Sequence, residues 1–171
     1  MLNTPIDEIL FDGDGKVTGI RSGENTATAP LVICDPTYTT NDRLKPTGKI
    51  IRAICLLDHP IPETNNVDSV QIIIPAKQLD RMYDTFISMV SYSHMICAKG
   101  IYVAMVSTTV ETDSPEQEIQ PAINLLGPIL DMFVCVTTNY EPFEDGRQSN
   151  LWVTKSYDAS THFEIASDDI L

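Results

Sequence analysis

The run Ile50 to Leu57, IIRAICLL, sets the tightest limit on how this chain can fold. It is too short to cross a bilayer as a helix. Asp58-His59-Pro60-Ile61-Pro62 closes it, and two prolines in five residues cannot continue a regular ladder. The run therefore reads as a buried β-strand. Alternation puts Arg52 on the same face as Ile50 and Ile54, so its charge must be paired or reach water. A structural ion pair or a snorkelling arginine accounts for it better than a ligand contact.

Similar short runs, bounded by turn residues, fill most of the chain. Asp7 to Phe11 and Val17 to Arg21 flank Asp12-Gly13-Asp14-Gly15, residues suited to a tight hairpin. That sequence also opens like a calcium loop, but Lys16 stands at the fifth position and the closing Glu is missing, so the hairpin is preferred. Thr26 to Ala29 and Leu31 to Cys34 complete a meander that ends at Asp35-Pro36. Thr37 to Pro46 is polar and reads as a loop, as does Asp58 to Asp68. Val70 to Ile74 is a strand stopped by Pro75. Thr85 to Ser93 and Ile101 to Val110 read as an antiparallel hairpin, since the link between them is too short for a parallel crossover.

The clearest helix follows Asp113. Ser114 suits the N-cap, Pro115 the first helical position, and Glu116 and Glu118 the positive end of the dipole. Ile119, Ala122, Ile123, Leu126, Ile129 and Leu130 form the apolar stripe, with Pro121 predicted to kink or restart the helix. Phe133 to Thr138 and Leu151 to Ser156 are the last strands. The expected fold class is α+β: strand-rich, mixed and antiparallel sheets with few helices.

A net charge of −13 with eleven scattered basic residues leaves no stripe to track nucleic-acid phosphates and disfavours docking on anionic membranes. The four cysteines, at 34, 55, 97 and 135, have neither zinc spacing nor a disulfide framework. Cys34, Cys55 and Cys135 sit in apolar runs and are expected to be reduced core thiols of a cytoplasmic protein. No signal peptide, membrane-length apolar run or prenylation motif is found, so neither direct membrane insertion nor a lipid anchor is expected.

No catalytic, cofactor-binding or metal-binding constellation emerges, and the chain is expected not to be an enzyme. It has no G-x-G-x-x-G, phosphate loop, H-E-x-x-H or G-x-S-x-G. His59 reads as a surface or loop-anchoring residue, and His94 lies in a strand connection. His162 stands near Ser156, Asp158 and Ser160, but triads draw their members from distant segments. Local backbone bonding that fixes a turn suits these residues better. The adjacent acids Glu144-Asp145 and Asp168-Asp169 point different ways and do not form an acid/base couple.

Four stretches carry a family resemblance: TGKIIRAICLLDHPIP (47–62), NNVDSVQIIIP (65–75), VSTTVET (106–112) and SYDASTHFE (156–164). Together they resemble the Rab GDP dissociation inhibitor family, relatives of the Rab escort proteins. The likeness runs along the whole chain, as one partial domain over 1–171. Within the family it resembles the C-terminal portion, with the nucleotide-fold-like half upstream and the helical prenyl-binding domain absent. Residues 82–97 follow the family pattern only loosely.

The resemblance implies a flavoprotein-like (FAD/NAD-binding-type) domain used for protein recognition. No flavin is expected, because the phosphate-binding first turn is missing. The implied partners are prenylated Rab-type GTPases in the GDP form. The implied role is to slow GDP release and support extraction from membranes and recycling in vesicle transport. The chain alone is expected to have reduced activity or none. One family position that contacts the GTPase, a methionine preceding a Leu-Asn pair, matches Met1. Fragments of a Rab escort protein or of a flavin-dependent oxidoreductase remain as alternatives.

Overall fold

The computed structural model describes residues 3–160 and 164–170. In chain order its strands are β1 (Glu8–Phe11), β2 (Val17–Ser22), β3 (Asn25–Thr28), β4 (Val32–Cys34), β5 (Leu44–Leu57), β6 (Ser69–Ile74), β7 (Thr85–Ser91), β8 (Tyr102–Thr109), β9 (Asp131–Pro142) and β10 (Leu151–Val153). Two α-helices are described, α1 (Pro115–Ile123) and α2 (Glu164–Ile170). The chain divides into two compact units. One comprises 1–47, 139–157 and 164–171, and the other 48–138 and 158–163.

In the first unit, β1, β2 and β3 form the expected antiparallel meander. The Asp12 carboxylate accepts the amides of Asp14 and Lys16, and Gly15 takes the left-handed backbone (φ 79°) that closes the turn. Lys16 thus serves the hairpin through its amide. The expected meander does not extend to the run ending at Cys34: β4 leaves it and pairs in parallel with β10. The segment predicted as a loop, Thr37 to Pro46, is more regular than expected. It holds short 3-10 turns at Pro36–Tyr38 and Asn41–Arg43, and β5 already begins at Leu44. Its polar composition hides this, because a strand exposed along one edge needs no apolar alternation.

The second unit is built on a five-stranded sheet in the order β6-β7-β8-β5-β9. The hairpin of β7 and β8 is antiparallel, as are the pairs β6–β7 and β5–β8. Register sorts the side chains cleanly. Ile51, Ala53, Cys55 and Leu57 of β5 share a face with Ala104 and Val106 of β8 and with Ile87 and Met89 of β7. All are fully buried and pack with Ile119, Ala122, Ile123 and Leu126 around α1. A two-layer core of sheet and helix results.

Helix α1 starts at Pro115 as expected, but the Ser114 hydroxyl makes no capping bond. Glu118, inside the helix, instead holds the approaching loop by taking the amides of Glu111 and Thr112. Pro121 does not restart the helix, which runs through it to Ile123 and tightens into a 3-10 turn at Asn124–Leu126. The stripe ends there: Ile129 packs on the core, whereas Leu130 is exposed. A second helix, α2, was not anticipated, because a short acidic segment has no apolar stripe to announce it.

The cysteine expectation needs correcting. Cys55 is buried, but Cys34 is half-buried and Cys135 exposed. Cys135 lies on β9, at the edge of its sheet, with every residue from Asp131 to Thr137 exposed. An apolar run marks a strand, but its place in the sheet decides whether that strand is core.

Candidate functional site

Three of the four stretches that carry the family resemblance meet at one point of the second unit. Arg52 of β5 stands directly opposite Ser107 of β8. Both lie on the face away from α1. The Arg52 guanidinium donates to the Asp158 carbonyl at 2.6 Å, and the Ser107 hydroxyl donates to the Ala159 carbonyl at 2.6 Å. The Ser160 hydroxyl in turn donates to the Asp158 carboxylate at 2.9 Å. The Asp158–Ser160 turn is thus fastened onto the sheet, with Ala159 buried beneath it. Arg52 is half-buried, as its strand position required, and its head reaches a backbone carbonyl.

This geometry suits a rigid recognition surface. The Ser107 hydroxyl is committed as a donor to a carbonyl, so it is not poised as a nucleophile beside a base. Ser160 and Asp158 bond to each other side chain to side chain, whereas bonds to the local backbone were expected for this segment. His162 lies outside the described residues, and so does Met1, the position matching a GTPase contact. Beyond the fastened turn the same face carries Ile54, Leu56, Val103, Met105 and Val90. These form successive rows across β5, β8 and β7, with Ile54 45% exposed.

At another edge of the sheet, a partly buried charge network fixes the loop before β7. Arg81 donates to the carboxylates of Glu111 (3.2 Å) and Glu118 (2.6 Å) and to the carbonyls of Thr109 and Glu118. Its side chain is only 9% exposed. Glu111 also accepts the amides of Met82 and Tyr83, which holds those two side chains outward. Burial pushes the Glu118 carboxyl up, but the Thr112 hydroxyl and amide, the Glu111 amide and Arg81 outweigh it and hold it below its usual range. Sequence reasoning missed this network, since its three charges come from two loops and helix α1.

His59 anchors its loop as expected. Nδ1 lies 2.7 Å from the Pro60 carbonyl and Nε2 3.0 Å from that of Pro128. Gly127 is required beside the ring, because a Cβ there would lie 3.0 Å from His59 Cε1 on a backbone with φ 78°. Among the described residues no group of three or more His, Cys, Asp or Glu side chains is placed to hold a metal ion.

The GDP dissociation inhibitor family, GDI, matches residues 1–171. The chain belongs to this family. It is similar to the Rab GDP-dissociation inhibitor of Saccharomyces cerevisiae, at 50% identity over 99% of this chain and 38% of that protein. Its structure is similar to that of the Rab GDI from Plasmodium falciparum, with a TM-score of 0.93 and 44% identity over 99% of this chain and 39% of that one. It also superposes on a thermophilic tryptophan halogenase from Streptomycin violaceusniger with a TM-score of 0.58 at 12% identity, over 98% of this chain and 33% of that one. That likeness concerns the fold alone and agrees with a flavoprotein-like, strand-rich α+β GDI domain. The chain spans about 38% of the length of the curated relatives it matches. The match itself gives no support to the narrower expectation of a C-terminal portion.

Proposed function

We propose that this GDI-family chain serves as part of a Rab GDP dissociation inhibitor-like regulator rather than an enzyme. In this reading it contributes to binding prenylated Rab-type GTPases in their GDP form, to slowing GDP release, and to their extraction and recycling from the cytoplasmic side of membranes. The observation that carries the reading is the 50% identity to a Rab GDP-dissociation inhibitor along 99% of the chain. The fastened Arg52–Ser107–Asp158 corner fits a non-enzymatic role, since the Ser107 hydroxyl and the Arg52 guanidinium hold backbone carbonyls in place.

Extraction is demanding, because each buried methylene of a prenyl group contributes roughly 0.8 kcal/mol of membrane affinity. A chain spanning 38% of its relatives is expected to bind without extracting efficiently. The test immobilises a prenylated Rab-type GTPase loaded with GDP or with a GTP analogue and measures retention of the chain. Retention on the GDP form alone is expected, with little release of the GTPase from vesicles. Equal retention on both forms, or on neither, would overturn the proposal.

A further inference from the structure

Arg43, which closes the second 3-10 turn, has no oxygen partner. Every other arginine meets one: Arg21 at Glu8, Arg52 at the Asp158 carbonyl, Arg81 at Glu111 and Glu118, and Arg147 at Asp145. Among the described residues the Arg43 side chain makes neither a hydrogen bond nor an ion pair. It is half-buried, and its guanidinium carbon lies 4.6 Å from the centre of the Phe11 ring. Stacking of this kind occupies a face of the guanidinium and leaves its in-plane N–H donors unspent.

Arg43 lines a cavity of about 190 Å³ in the first unit. Pro142, Leu151 and Val153 give the cavity an apolar wall, and Asp42 and Glu144 bring carboxylates to it. Two backbone features build it. The Phe143 amide donates to the Arg43 carbonyl at 3.0 Å. Gly146 lets its turn close on β10, since a Cβ there would lie 2.5 Å from the Leu151 carbonyl oxygen. Hydrogen bonds from the Thr40 side chain and the Asp42 amide hold the Asp42 carboxyl below its usual range, so it is charged at neutral pH. Glu144 makes no hydrogen bond or ion pair among the described residues.

We infer that this cavity binds a small zwitterion of the α-amino acid class. The carboxylate sits on Arg43, the ammonium faces Asp42 and Glu144, and an aliphatic side chain packs on Leu151 and Val153. The charges select this class by elimination. A simple anion meets two carboxylates for its one cation, and a simple cation meets Arg43. A neutral apolar molecule takes the Arg43 donors out of water without replacing their bonds. A ligand of both signs satisfies all three groups, and the guanidinium fork matches a carboxylate. The volume is below the roughly 300–1,000 Å³ of sites for drug-sized ligands, which suits a single amino acid. This inference is independent of the proposed GTPase binding, and failure of one leaves the other standing.

The test titrates the whole chain with leucine, with isocaproate, which lacks the ammonium, and with isoamylamine, which lacks the carboxylate. Saturation-transfer NMR reads the binding. Leucine is expected to bind saturably, and each analogue roughly tenfold or more weaker, because each leaves a charged group unpaired. Arg43→Gln should weaken leucine by a similar factor without weakening isoamylamine. Glu144→Gln should weaken leucine and isoamylamine but not isocaproate. Glu144 is exposed, so circular dichroism should show that variant folded, and it keeps the test open if Arg43→Gln disturbs the stack on Phe11.

Absence of saturable leucine binding would overturn the inference. So would analogues that bind as tightly as leucine, which would mark an apolar hollow or a plain ion site, and so would leucine binding indifferent to both substitutions.

Discussion

Arg52 and Ser107 face each other across β5 and β8 and donate to consecutive carbonyls, those of Asp158 and Ala159, each at 2.6 Å. Two strands therefore hold one turn through one pair of neighbours. Arg52→Ala and Ser107→Ala are each expected to cost about 1–3 kcal/mol, since each leaves a buried or half-buried carbonyl unsatisfied. Their effects should not add, because losing either bond frees the turn that the other grips. Urea unfolding of the two single variants and the double variant measures this, and simple additivity would show that the bonds act independently.

The Arg81 network makes stability depend on pH. Glu118 is held below the ordinary carboxylate range when folded. Its contribution is therefore fully present above the unfolded-state value near 4.3 and is lost as pH falls toward the folded value. Glu118→Gln should be less stable than wild type at neutral pH, and the gap should narrow below about pH 4. Arg81→Ala leaves two carboxylates without their cation and should cost about 3 kcal/mol at pH 7. Thermal melts across pH would detect both effects, and a pH-independent gap for Glu118→Gln would contradict the assignment.

Thr85 is 1% exposed, and its hydroxyl has no hydrogen-bond partner among the described residues. Replacing it with Val removes an unsatisfied buried polar atom while keeping the shape. Thr85→Val should be neutral or stabilise by about 1 kcal/mol. A loss of comparable size on chemical unfolding would mean that the hydroxyl is bonded in solution.

The cysteines should separate by reactivity. Burial pushes the Cys55 thiol up to about 11 and seals it in the core, and burial also raises Cys34. Cys135 lies open on the sheet edge. A thiol reagent added to native protein at pH 8 should modify Cys135 first and Cys55 only on unfolding. Peptide mapping by mass spectrometry gives the order, and early labelling of Cys55 would refute the buried placement.

Much of the strand framework was legible in residue order. Turn chemistry at Asp12 to Gly15, the prolines at 60, 62 and 75, and the acidic start of α1 each act within a few residues, so local pattern suffices to find them. The fate of Ser114 was not legible. Its hydroxyl makes no capping bond, while Glu118 of the same helix holds the preceding loop and meets Arg81 from another segment. Nor could the apolar run at Phe133 to Val136 reveal its exposure, since a core strand and a bare edge strand share one composition.

The sequence by itself determined that this chain is strand-rich, that Arg52 sits in a strand and must be satisfied, and which family it resembles. These follow from periodicity, turn residues and residue order, all short-range properties. Only the tertiary structure decided what satisfies Arg52, which strand lies at the edge, and which thiol is buried. Each depends on register and strand order, which bring residue 52 beside 107 and 158. Local free energies do not specify such long-range pairings, which are selected by burying one face of the sheet against α1.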